Sequence, residues 1–113
     1  KQNNIRKKIA KRYFQEIKSE AKMQFDKDCS YHFYWILVKN RNKFRKKLSE
    51  NGVETGTHYK PIHTFNFYKS RIKLKITENI GKSVVTIPCH PNLKENDVSK
   101  IIKVINSLNY NLV

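Results

Sequence analysis

A chain of 113 residues with 24 Lys and Arg against 9 Asp and Glu, a formal charge of +15, is one small domain able to bury a core. With 38% hydrophobic residues it is not a disordered chain, and its longest apolar run, Phe33 to Val38, falls far short of the roughly 20 residues of a membrane span. The charge invites nucleic acid or an acidic surface, but the lysines are spread along the whole chain among many Asn and Ile, as a generic basic bias would place them. Cys29 and Cys89 are too few and too far apart for a zinc site or a disulfide framework and are expected to be free thiols. No signal peptide is visible, and the opening Lys1 leaves open where the natural chain begins.

In chain order, Asn3 to about Glu20 reads as a helix. Ile5, Ile9, Tyr13 and Ile17 recur every four residues, and Asn3 or Asn4 is a candidate cap. Its basic side, Arg6, Lys7, Lys8, Lys11 and Arg12, is open to two readings, a nucleic-acid face or the outer side of a docked amphipathic helix; the second is favoured. Residues 21–30 read as a loop. Tyr31 to Val38 is aromatic and β-branched, a strand with a covered face in which Trp35 is expected in the core. Arg41 to Asn51 is helical, with Phe44 and Leu48 inward.

The stretch Gly52 to His63 then separates two strand–helix blocks. Gly52 follows a basic helical run, as a glycine just past a helix end does. Val53 to Thr55 can run as a short strand, and Pro61 ends regular pairing. His58 and Tyr59 therefore sit on a loop between packed elements, where binding groups often lie.

Thr64 to Tyr68 reads as a short helix or turn over Phe65, Phe67 and Tyr68. Arg71 to Lys75 reads as an edge strand or an extended loop, and Thr77 to Gly81 as a polar turn. Ser83 to Ile87 is a β-branched strand stopped by Pro88. Lys94 to Leu108 is the clearest helix, with Val98, Ile101, Ile102, Ile105 and Leu108 on one stripe and Asn92 as the expected cap. Asn109 to Val113 is a tail. The order predicts a two-layer α+β domain, a small, mostly antiparallel sheet with helices on one face.

Several blocks in this order resemble the C-terminal small domain of DegT-type (DegT/DnrJ/StrS) sugar-nucleotide aminotransferases. They are Arg6 to Tyr13, Tyr31-His32-Phe33-Tyr34, Arg41 through Leu48 and Gly52 to His63, Val84 to Pro91, and Glu95 to Val98. Asn42 stands where the family usually has Asp, Lys94 where Ser or Thr is common, and Thr77-Glu78 where Ala-Glu is usual. The resemblance implies the small domain of an aspartate-aminotransferase-fold (type I) enzyme over residues 1–113. Residues 1–20 are then a leading amphipathic helix and residues 31–108 the α/β core.

It also implies an activity. Such enzymes use pyridoxal 5'-phosphate to move an amino group, commonly from glutamate, to a nucleotide-linked keto sugar for surface polysaccharide or related glycans. They work in the cytoplasm as homodimers. The chemistry needs a cofactor-binding lysine, an acid at the pyridine nitrogen and donors for the phosphate. In the family these lie in a large domain, which is absent here, so no catalytic or cofactor-binding residue is assigned, and this chain alone is expected to be inactive and not to hold the cofactor. His58 and Tyr59, and in second rank His63, are expected to contact the sugar nucleotide, with His63 alternatively serving packing or the dimer interface. His32 and His90 are expected to be structural. Two readings compete: a stand-alone basic module for nucleic acid or a protein partner, and an inactive truncated product.

Overall fold

The structure, a computed structural model, describes residues 1–61, 64 and 73–108. The first helix, α1 (Gln2–Glu16), turns Ile9, Ala10 and Tyr13 into the core, with Ile17 buried at its end. It opens at Lys1 without a side-chain cap. Asn3, one of the two candidate caps, instead accepts a hydrogen bond from Arg6. The helix stops at Glu16, four residues before the predicted end, because other groups take over its last carbonyls. Asn106 Nδ2 donates to Glu16 O (2.9 Å), and the buried Lys22 ammonium donates to Ile17 O.

The strand β1 (Tyr34–Leu37) is shorter than predicted. Tyr31 holds a left-handed backbone, φ 53°, which takes it out of the extended region. Its buried ring anchors the preceding loop by donating to Gln24 O. β1 pairs antiparallel with β2 (Val84–Ile87), placing Tyr34 opposite Ile87 and Trp35 opposite Thr86. Residues 21–23 run along the free side of β1, with Met23 N–H donating to Trp35 O and Leu37 N–H to Ala21 O. Gly56 pairs with Thr86 on the far side of β2. Both strands are thus covered at their edges, and every pairing among the described residues is antiparallel.

Because side chains alternate along a strand, the register divides the sheet cleanly. Tyr34, Ile36, Val38, Val85 and Ile87 face the core. There they meet α1, Phe44 and Leu48 of α2 (Arg41–Glu50), and the Val98, Ile101, Ile102, Ile105 stripe of α4 (Glu95–Ser107). Tyr13 packs on Tyr34 at 5.3 Å, and its hydroxyl donates to Pro88 O (2.6 Å). Phe33, Trp35, Leu37, Val84 and Thr86 have the opposite parity, so Trp35 lies outside the core where it was expected.

Three further expectations are corrected. Asn92 does not cap α4; Lys94 stands at the cap, where the Asp97 carboxylate accepts its N–H at 2.9 Å. Val53 to Thr55 form no strand, because pairing is confined to Gly56. Thr77 to Gly81 are not a turn: Leu74 opens the helix α3 (Lys75–Ser83), with Glu78 N–H donating to Leu74 O. In the segment 71–75, read as an edge strand or an extended loop, the described Lys73 and Leu74 have no regular structure, in keeping with the loop. The core-forming helices α1, α2 and α4 pack on one face of the sheet, as predicted, and α3 borders a groove at the outer face. The expectations for residues 65–72 and 109–113 lie outside the described residues.

The buried acids give the fold a pH limit. Burial pushes the Cys89 thiol up to about 11 and also raises the phenols of Tyr13, Tyr34 and Tyr31. In the unfolded chain a thiol ionises near pH 8.5 and a phenol near 10. The unfolded state thus releases protons first, and stability that is complete below pH 8.5 is lost as pH rises through about 11. Cys89 alone accounts for on the order of 3 kcal/mol. Urea midpoints are expected to fall steadily between pH 8 and 11; a flat profile would contradict the burial of these groups.

Candidate functional site

The loop after α2 is built as a chain of fixed points. Gly52, at φ 77°, ends the helix with a paired cap: Val53 N–H donates to Leu48 O and Gly52 N–H to Ser49 O, both at 2.9 Å. Val53 is then buried beside Leu48. Two residues on, Arg45 grips Thr55, its Nε donating to Oγ1 and its Nη2 to the carbonyl, both at 2.9 Å. Gly56 follows with two backbone hydrogen bonds to Thr86, of 2.9 and 2.8 Å. The chain therefore reaches His58 tied to α2 on one side and β2 on the other.

His58 Nδ1 is hydrogen-bonded to Thr86 Oγ1 at 2.8 Å. Its ring stacks on Phe33, 5.9 Å between centroids and 19° between planes. Tyr59 stands edge-on to both, 4.8 Å from the His58 ring and 6.1 Å from Phe33, and is 65% exposed. The three rings open onto a groove of about 430 Å³ between the outer face of the sheet and α3, walled by Trp35, Leu37, Ile80 and Val84. Beside it lies a more polar cavity of about 320 Å³, lined by Arg41, Lys60, Lys82 and Glu78. Arg41 fixes the boundary between them by donating to Gly81 O.

Of the residues expected at the site, His58 and Tyr59 come together as an exposed pair on one wall, while His63 lies outside the described residues. His32 is exposed and edge-on to Phe33 at 6.0 Å, bordering the cluster. His90 is exposed beside Pro91, away from the groove. Sequence reasoning missed Phe33, Trp35, Gly56 and Thr86. The available signal was strand parity: Phe33, Trp35 and Leu37 share a face with Thr86 once Tyr34 is placed inward.

The basic side of α1 is not an open face throughout. Arg12 clasps Glu16 with two hydrogen bonds, 2.7 and 3.0 Å, which hold that carboxyl below its usual range. It also reaches Glu95 O and Ser99 Oγ of α4. Among the described residues no group of three His, Cys, Asp or Glu side chains is placed to hold a metal ion, and no helix is long and apolar enough to cross a membrane.

Among the described residues the one buried lysine, Lys22, is engaged with Ile17 O and lies over the Phe14 ring at 5.5 Å. None of the described residues that line the groove beside His58 is a carboxylate or a lysine; the described cationic and acidic groups nearby line the neighbouring cavity instead.

Residues 1–106 match the model of the DegT/DnrJ/EryC1/StrS aminotransferase family. Among curated relatives, the chain is 28% identical over 115 residues to the dTDP-3-amino-3,6-dideoxy-alpha-D-galactopyranose transaminase of Aneurinibacillus thermoaerophilus, covering 96% of this chain and 32% of that protein. To the UDP-4-amino-4,6-dideoxy-N-acetyl-beta-L-altrosamine transaminase of Campylobacter jejuni it is 32% identical over 111 residues, covering 87% of this chain and 29% of that one. A solved DegT/DnrJ/EryC1/StrS aminotransferase from Brucella abortus superposes with a TM-score of 0.80 at 26% identity, covering 95% of this chain and 31% of its own. A Bacillus subtilis structure with bound cofactor PMP gives 0.82 at 18% identity, covering 97% of this chain and 29% of its own. The chain thus spans about a third of the length of these relatives.

Proposed function

This chain belongs to the DegT/DnrJ/EryC1/StrS aminotransferase family, and from that premise we propose that it is the small, C-terminal part of an enzyme that aminates a nucleotide-linked keto sugar. The observation that carries the proposal is the family match along residues 1–106. The relatives named above as dTDP- and UDP-amino-sugar transaminases support the substrate class. Such an enzyme would work in the cytoplasm as a homodimer, supplying amino sugars for surface glycans, with an amino acid such as glutamate as donor.

Pyridoxal phosphate, when bound in the parent enzyme, would supply the electron sink for amino transfer, and the residues that grip it are expected in a large domain outside these 113 residues. The described residues form a wall of the substrate site. His58 offers a ring nitrogen and Tyr59 a hydroxyl to sugar and phosphate oxygens. Phe33, Trp35 and Leu37 give a flat apolar surface that keeps water from one side of the substrate. Arg41 and Lys82 bias the neighbouring cavity toward an anion.

The test begins with the coding DNA read in frame upstream of the Lys1 codon, where a large domain with a cofactor-binding lysine is expected. In the resulting full-length enzyme, His58→Ala is expected to lower kcat/KM for the nucleotide keto sugar about 10- to 100-fold, the effect of losing one hydrogen bond to a charged group. The half-reaction with the amino-acid donor should be unchanged. A stop codon directly upstream, together with nucleic-acid binding that falls steeply with salt, would instead favour the basic-module reading.

A further inference from the structure

Thr86 is a buried hydroxyl with an unusual assignment. It is 4% exposed, and both of its backbone groups are already paired with Gly56. Its hydroxyl makes one hydrogen bond among the described residues, to His58 Nδ1 at 2.8 Å. A hydroxyl must donate its proton to be satisfied in a place with little water. The acceptor available to it is the Nδ1 lone pair.

We propose that Thr86 is a positioning residue for His58: its hydroxyl donates to Nδ1, fixing the neutral ring as the Nε2–H form and leaving Nε2–H as the donor presented to substrate oxygen. The opposite arrangement, Nδ1–H donating to Oγ1, leaves the Thr86 proton unpaired and turns a bare lone pair toward an anionic ligand. The Phe33 stack restrains the ring plane. Gly56 leaves the space for it: a Cβ there would come within 2.7 Å of both His58 Cε1 and Thr86 Oγ1. Nε2 itself makes no hydrogen bond among the described residues. The consequence for recognition rests on the reading of His58 as a substrate-side group; the fixed ring form does not.

The experiment is NMR of the 113-residue chain with 15N-labelled histidine, reading the two ring nitrogens of His58 at a pH where the ring is neutral. A pyrrole-type Nε2 and a pyridine-type Nδ1 are expected, with that form in excess of about tenfold. Thr86→Val, which keeps the shape and removes the hydroxyl, is expected to give averaged nitrogens. Thr86→Ser, which keeps the hydroxyl, should restore the native pattern. A native ring that is already averaged or protonated at Nδ1, or a Thr86→Val chain with the native pattern, would overturn the proposal. Failure of the substrate reading looks different: the native pattern would persist while His58→Ala left kcat/KM of the full-length enzyme unchanged.

Discussion

Phe44→Ala is expected to destabilise this chain by about 3–5 kcal/mol, the usual cost of emptying a large aromatic site. Phe44 is fully buried and sits on the first turn of α2, whose start is fixed by Asn40 Oδ1 accepting from Lys43 N–H (3.2 Å). Its ring is held between the helix and the core face of the sheet, so the surrounding elements have little room to close the cavity. A domain of this size has a total stability of roughly 5–15 kcal/mol. The change therefore removes a large share and should lower the midpoint of thermal unfolding by roughly 15 °C or more. Circular dichroism melts of the variant against Phe44→Leu, expected to lose far less, and Lys46→Ala, within about 0.5 kcal/mol of the native chain, measure this. A Phe44→Ala midpoint within a few degrees of native would mean that α2 does not close the core. The same helix carries Arg45 and ends at Gly52, so losing its packing would also loosen the loop to His58.

Phe44 also shows what was legible. Its spacing to Leu48 is one helical turn, both are fully buried, and Gly52 follows the helix end as predicted, with a left-handed backbone. The stripe on α4 and the strand at β2 were legible for the same reason, since period and turn chemistry agree there. Helix ends were less so, because distant residues set them. Nothing local to Glu16 says that Asn106, 90 positions away, will take its carbonyl. α3 was missed because it buries no residue: Ile76 is 76% exposed and Ile80 46%. With Thr77 and Gly81 inside so short a segment, propensity pointed to a turn, and no inward stripe marked it as a helix.

At the site, His58 and Tyr59 were legible from their place after a helix stop and before Pro61. The wall they stand on was not. Phe33 to Val38 is apolar at every position, so alternation is hidden, and Trp35 was assigned to the core with the rest of the run. What divides the run is the buried neighbourhood of Tyr34, whose hydroxyl donates to Met23 O, and the register with β2. Thr86 looked like one more β-branched strand residue; its role needs the Gly56 pairing, which joins segments 30 positions apart.

That pairing makes Gly56→Ala the most informative change at the site. The Gly56 backbone is not in the left-handed region, so alanine meets no conformational penalty there and the whole effect comes from contact. The new Cβ would lie 2.7 Å from Thr86 Oγ1 and His58 Cε1, and 3.0 Å from His58 Nδ1. Thr86 is buried within the sheet and has little room to retreat, whereas the exposed His58 ring can swing out. The ring is therefore expected to yield, breaking its bond to Thr86 and its stack on Phe33. Overpacking of this kind costs about 1–3 kcal/mol, and relief through an exposed side chain puts Gly56→Ala at the lower end. The site should suffer more than the fold. Urea unfolding is expected to show a drop of about 1–2 kcal/mol, while the His58 ring nitrogens lose their fixed form. In the full-length enzyme, kcat/KM for the sugar nucleotide should then fall about as far as in His58→Ala. A Gly56→Ala chain with native stability and a native His58 signature would show that the loop does not press on β2 as described, and the clamp around His58 would have to be abandoned.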